Sequence, residues 1–287
     1  MSRRTHLAVW LTVVFLLVGV LLIKIPTFAN LYINSLIREI NKRGLVWYHA
    51  RGTNSLGGER FVVFYQDGQQ REAAVVLDAA EGFYPVLARN FGFDIQGPVP
   101  VLLYAEREAL NQSFGWPADA NTVGVYWAGS IRVLSPAVWI DPLEAEADYD
   151  RYFHEMGPMA HEIAHLFVDY LSRGNCPRWF NEGVAQYQEY LLTGFQFGEP
   201  RFFPLENAYT LEELQYFDQL EDQNLAYLQC FSLVYFLVEQ HGWPVVVRVL
   251  EALGRGASLA TAMQDELGLD LNTLDGEWKR WAAYQEA

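Results

Sequence analysis

The sequence predicts an α+β fold behind an N-terminal membrane-anchor helix, on three observations. An uncharged run from Leu7 to Ile23 stands apart from the rest of the chain. Short runs rich in β-branched and aromatic residues then cluster in residues 56–145, and from Tyr149 onward apolar residues recur at helical spacing. Strands first and helices later is the order of a segregated α+β architecture with a small mixed sheet and a mostly helical C-terminal part. At 287 residues and 51% hydrophobic, the chain can bury one large core, and no internal repeat divides it. The expected division is an anchor over 1–28, a stalk helix and linker over 29–55, and one domain over 56–287, with a sheet part (56–145) and a helical part (146–287).

Leu7 to Ile23 is 17 residues, and with Lys24 and Ile25 it suffices for a short bilayer span. A cleaved signal peptide carries a shorter apolar region, about 7–15 residues, and Thr27-Phe28-Ala29 is a poor small-x-small cleavage site. The positive-inside rule gives a mixed answer: Arg3 and Arg4 precede the run, while Lys24, Arg38, Lys42 and Arg43 come after it. A short basic tail before an apolar run resembles a signal anchor. It predicts a single-pass protein of the cell membrane with its large domain outside the cytoplasm, and so a lipid bilayer as partner. Asn30 to Arg43 reads as an amphipathic helix, with Leu31, Ile33, Leu36, Ile37 and Ile40 apolar and Asn30 as its cap. It either lies on the membrane or continues the span. Gly44 and the 52–58 stretch then mark a linker.

Phe61–Tyr65 reads as a strand. Glu72–Phe91 reads as a helix, with Ala73, Val76, Leu77, Ala80, Tyr84 and Leu87 toward a core. Val99–Tyr104 is a second strand after Gly97-Pro98, and Thr122–Trp127 with Ser130–Leu134 forms a hairpin around Ala128-Gly129. The net charge of −15, crowded into 141–155 and 206–222, argues against a nucleic-acid partner and is read as a solubility feature.

The helical part carries the chemistry. His161-Glu162-Ile163-Ala164-His165 puts two imidazoles one helical turn apart on one face. Glu162 stands to their side, placed to act as a base without binding the metal. Pro158 suits a first helical turn; Ile163, Leu166, Phe167, Tyr170 and Leu171 form a core-facing stripe; Gly174 is a stop signal. Glu182 stands 17 residues after His165 and opens another helical run, Glu182 to Leu192. The short connection between the two runs favours antiparallel packing, which would bring Glu182 onto the histidines. Two His and one carboxylate leave a fourth tetrahedral position open, the mark of a catalytic zinc site, with one zinc ion per chain. Other divalent ions tolerate the same donors.

His161-Glu162-x-x-His165 with Trp179-x-x-Glu182-Gly183 resembles the gluzincin metallopeptidases, especially bacterial peptidase MA-like domains, over roughly residues 56 to 255. The resemblance implies zinc held by His161, His165 and Glu182, with Glu162 as general base. It also implies that Tyr227, at the start of the helical run Ala226–Leu237, stabilises the oxyanion, and that the substrate is a peptide or protein. It implies too that the edge strand Gly124–Trp127 pairs with the substrate backbone. The chain departs from the family in two places. It lacks the Gly-x-Met-Glu-Asn stretch that membrane aminopeptidases of this clan use, which weakens an aminopeptidase reading. Gln186 stands where some relatives have an Asp that orients a histidine; Asp169 is then a candidate for that role. His154 is a lesser candidate for contact with the substrate. Cys176 and Cys230 both border the expected site, so a disulfide between them is compatible with an extracytoplasmic domain if their Cα atoms are close enough.

The leading expectation is therefore a membrane-anchored zinc metallopeptidase. The alternatives are a non-catalytic, zinc-stabilised interaction domain and a zinc hydrolase of a non-peptide amide or ester. Oligomeric state is not legible in the sequence.

Overall fold

The computed structural model describes residues 26–49, 52–196, 198–201 and 203–284, with positions 10, 12–14 and 19 before them. Most of the Leu7–Ile23 run, where the anchor is expected, lies outside the described residues. Among the described residues no helix is long and apolar enough to cross a membrane.

The first continuous described segment is helix α1 (Pro26–His49), which extends past both ends of the predicted Asn30–Arg43. Pro26 suits the first position of a helix. Asn30 lies inside the helix rather than capping it, and so does Gly44. Docking of α1 overrides the roughly 1 kcal/mol helical cost of a glycine. The buried Lys42 Nζ, for example, donates to the Gln96 carbonyl at 2.7 Å.

Stretch 52–58, expected as linker, contributes strand β1 (Asn54–Gly57), paired antiparallel with β2 (Phe61–Tyr65). Only Leu56 of β1 is even half-buried, so no apolar alternation announced it. Helix α2 (Gln70–Phe91) ends where Gly92 turns left-handed, with φ of 65°. Then come β3 (Val99–Tyr104), α3 (Arg107–Gln112), β4 (Gly124–Trp127) and β5 (Ser130–Leu134). The short α4 (Pro136–Trp139) leads to α5 (Pro142–Met156), α6 (Met159–Ser172) and α7 (Arg178–Thr193). After two 3-10 turns, Leu205–Asn207 and Glu213–Gln219, the chain closes with α8 (Gln223–His241), α9 (Trp243–Gly254), α10 (Leu259–Leu267) and α11 (Leu271–Tyr284).

The five strands form one mixed sheet in the order β1-β2-β3-β5-β4. β2, β3 and β5 are parallel, and the two edge strands run antiparallel to their neighbours. The α+β expectation holds in this form. The β4–β5 turn is the predicted Ala128-Gly129, both residues with positive φ (45° and 82°), as a two-residue hairpin of matching twist requires. β4 begins at Gly124 rather than Thr122.

The core lies between the sheet and helices α2 and α6, and continues among α6, α7, α8 and α9. Ile163, Leu166 and Phe167 of the predicted stripe are fully buried, and the Phe167 ring stacks on Phe91 at 5.2 Å between centroids. Burying side chains of this size stabilises by about 1.5–3 kcal/mol each. That packing holds rigid the helix that carries His161-Glu162-x-x-His165.

Candidate metal centre and cleft

α6 presents His161 and His165 with their ring centroids 4.6 Å apart, edge to face. α7 runs antiparallel to α6 after the short 173–177 connection, in which Arg173 (φ 55°) and Gly174 (φ 76°) both take left-handed backbone. This packing delivers Glu182, from the second turn of α7 rather than the predicted first turn. Its Oε2 lies 3.5 Å from His161 Nε2 and 3.4 Å from His165 Nε2. One ligand atom from each of the three residues lies within 4.8 Å of the others. Bond lengths of about 2.1 Å in a tetrahedral zinc site separate ligand atoms by about 3.4 Å, so the set matches such an ion.

The other ring nitrogens are occupied. His161 Nδ1 donates to Glu189 Oε2 at 3.0 Å, and His165 Nδ1 donates to Asn181 Oδ1 at 2.9 Å. These bonds leave each Nε2 facing Glu182 and fix the ring planes; on the neutral ring, Nε2 is then the free lone pair a metal needs. Sequence reasoning missed both partners. Glu189 lies seven residues after Glu182, two helical turns on along the same face of α7, and that spacing was the available signal. We expect Glu189→Gln to weaken zinc binding by roughly 10–100-fold in a chelator competition. Unchanged affinity would mean that the His161 ring is held in place by other contacts.

Gln186, which stands where some relatives orient a histidine, and Asp169, the candidate for that role here, do something else. Gln186 donates to the Tyr227 carbonyl at 3.0 Å and pins α7 to α8. Asp169 accepts from the Tyr126 hydroxyl and faces the Arg38 guanidinium at 3.4 Å. It thereby ties the hairpin and α1 to α6. His154 pairs with Asp78 at 3.1 Å and packs near Phe83; it is not among the cleft-lining residues. Cys176 and Cys230, between which the sequence left a disulfide open, are both free in this structure.

The donors sit at the floor of a cleft of about 620 Å³ between β4 and the helices. Gly124 allows that approach: a Cβ there would fall 2.5 Å from the Pro158 Cβ and 3.0 Å from Glu162 Oε1. The Val123 carbonyl accepts from Leu134, so Gly124 and Tyr126, one residue out of phase, turn their backbone groups away from β5. The Tyr126 N–H donates to Glu162 Oε2. Tyr227 also lines the cleft, across α7 from the histidines. Arg178, unremarked in the sequence, links it to the candidate ligand Glu182: its Nη2 donates to the Tyr227 hydroxyl at 3.2 Å and its Nε to Glu182 Oε1 at 3.3 Å. Phe217 packs under the guanidinium and Asp218 pairs with it.

The electrostatics arise from burial and close charges. Burial raises the pKa of Glu162, and the nearby histidines offset this only in part. Burial opposes charge on His161, but Glu189 and Glu182 outweigh it and hold its pKa well above the imidazole range. Burial likewise opposes charge on Glu182, and the facing histidines outweigh it, holding that carboxyl far below the carboxylate range. Burial and the Glu182 charge push the Tyr227 hydroxyl up to about 12.

Two imidazoles and a carboxylate on paired helices, beside a buried non-ligand carboxylate and below an open strand edge, define the active-site type of a single-metal hydrolase. The chain belongs to the peptidase MA superfamily, whose sequence profile matches residues 79–284. No curated protein matches it in sequence. Among solved structures it is similar to an M1 zinc metallopeptidase from Deinococcus radiodurans, at 16% identity and a TM-score of 0.42, over 80% of this chain and 50% of that one. The chain thus spans about half the length of that relative.

Proposed function

We propose that this protein is a zinc metallopeptidase in which His161, His165 and Glu182 hold the metal and Glu162 is the general base. The observation that carries the reading is the convergence of His161 Nε2, His165 Nε2 and Glu182 Oε2, with Glu162 next to the donors and outside the set. A zinc ion held there would acidify a water and polarise the substrate carbonyl. Glu162 takes the proton of the attacking water and delivers it to the leaving amine. Tyr227, oriented by Arg178, donates to the developing oxyanion, a contribution of roughly 3 kcal/mol for one well-placed donor. The outward backbone groups of Gly124 and Tyr126 pair with an extended peptide, which then replaces Glu162 as partner of the Tyr126 N–H. That exchange frees the carboxylate for its proton transfer as the substrate arrives.

The uncharged run Leu7–Ile23, with Arg3 and Arg4 before it, supports a single-pass membrane anchor with the peptidase domain outside the cytoplasm.

The test is zinc content and peptide-library hydrolysis by full-length protein in detergent. We expect about one zinc per chain, lost in the His161→Ala/His165→Ala variant, and cleavage that stops with a zinc chelator and returns when zinc is added back. Zinc-replete, folded protein that cleaves no peptide would overturn the peptidase reading in favour of an interaction domain or a hydrolase of another bond.

A further inference from the structure

Helix α1 is inverted with respect to an ordinary surface helix. Two of its four charged residues face the protein: Arg38 and Lys42 are 6% and 4% exposed, while Glu39 is half-buried and Arg43 exposed. Arg38 donates to the Asp169 carbonyl at 3.1 Å and stacks over the Tyr170 ring at 3.7 Å. Lys42 reaches the Gln96 carbonyl and, at 3.1 Å, the Tyr170 hydroxyl. The opposite face carries Ile33, Leu36, Ile37, Ile40, Trp47 and Tyr48, each at least 45% exposed. They recur at helical spacing and form a stripe about 22 Å long. An isolated exposed apolar residue is ordinary, but a contiguous stripe of this size marks a contact surface.

We propose that this face of α1 lies in the headgroup region of a lipid bilayer, with the domain seated on the helix's other side. The proposal rests on the anchored reading above. Three observations select lipid as the occupant. First, α1 begins three residues after Ile23, the end of the uncharged run, so the stripe emerges where that run would leave the membrane. Second, the apolar surface does not end with the helix. Val46, Trp47, Phe93 and Pro98 line a cavity of about 710 Å³ beside its C-terminal half, with Lys42 and Arg43 in the same wall. A second copy of the helix would cover the stripe alone, whereas fluid lipid covers both. Third, the charge is polarised. On the domain's side of the uncharged run, residues 24–49 hold four basic and one acidic side chain, and the remainder holds fourteen and thirty-four. Anionic headgroups would attract the α1 side and repel the rest, which orients the domain in the sense the stripe requires. Trp47 and Tyr48 are residue types suited to that depth.

The experiment uses full-length protein in vesicles of phosphatidylcholine and phosphatidylglycerol whose acyl chains are brominated near the headgroup. Tryptophan emission is compared between wild type and Trp47→Phe, so that quenching of the other tryptophans cancels. The expected result is that Trp47's share of the emission is largely lost. It should be restored in Ile37→Glu/Ile40→Glu, whose exposed positions leave folding intact. Equal fractional quenching of wild type and Trp47→Phe would overturn the proposal, and a disulfide between copies of Ile40→Cys would then assign the face to a second copy. Alkaline carbonate extraction reads the anchor separately. Resistance with unquenched Trp47 means that the anchor stands and the docking fails. Extraction with quenched Trp47 means the reverse.

Discussion

Glu162→Gln is expected to reduce peptide hydrolysis by about 10²–10⁴-fold while leaving zinc content unchanged. The residue is 6% exposed, on the helix that carries two of the three donors, and is not a donor itself. Glutamine keeps the size and the acceptor oxygen, so the Tyr126 N–H retains its partner and β4 its place over α6. What is lost is the capacity to take and return a proton. The measurement is kcat/KM on the best library peptide, beside metal analysis and thermal unfolding of both proteins. Wild-type turnover by a zinc-loaded Glu162→Gln protein would remove Glu162 from the mechanism. A loss of zinc would mean instead that the carboxylate supports the metal.

Gly183→Val is expected to disable the centre by a different route. A Cβ at Gly183 would lie 2.3 Å from the Cys230 carbonyl oxygen and 2.7 Å from Val234 Cγ2. The first contact is with backbone and cannot be relieved by a rotamer change, so α7 must move away from α8. Overpacking of this kind costs typically about 1–3 kcal/mol of stability. The functional effect is larger, because Glu182 is the preceding residue and metal–ligand distances tolerate only about 0.2 Å. We expect zinc affinity to fall at least as far as in Glu189→Gln, together with a lower unfolding midpoint. Gly183→Ala is expected to show the same defects to a smaller degree. Wild-type zinc binding by the valine variant would mean that the two helices separate without carrying Glu182 off the histidines. The glycine of Trp179-x-x-Glu182-Gly183 is thus explained by packing: it lets the ligand helix touch its neighbour at the point where the ligand leaves it.

The reach of the sequence is clearest where one element carries its own signal. His161, Glu162 and His165 are spaced by a single helix, so their shared site could be read from a period of 3.6 residues. Phe61–Tyr65, Val99–Tyr104 and the Ala128-Gly129 turn were legible for the same reason, since composition and turn chemistry are local. Glu182 needed one further step, the antiparallel return of a short loop. Gly52 to Gly58 was misread because β1 is held by main-chain bonds to β2, and main-chain bonding leaves no side-chain pattern. Asp169 was misread because its partners come from Tyr126 and Arg38, far away in the chain.

By itself, then, the sequence determined the chemistry offered: two imidazoles and a carboxylate at ligand spacing, a base beside them, an apolar run ahead of the domain. Only the tertiary structure decided what each group faces. Glu189 and Asn181 set the ring planes, Arg178 joins Glu182 to Tyr227, and Gly124 admits the strand edge to the cleft. The face that α1 turns outward belongs with these. Its apolar stripe was visible in the sequence, but a stripe is equally suited to a core or to a membrane. The direction was decided by Arg38 and Lys42, whose partners lie on α6 and in the loop before β3. Docking those two cations inward leaves the apolar side of the helix facing out.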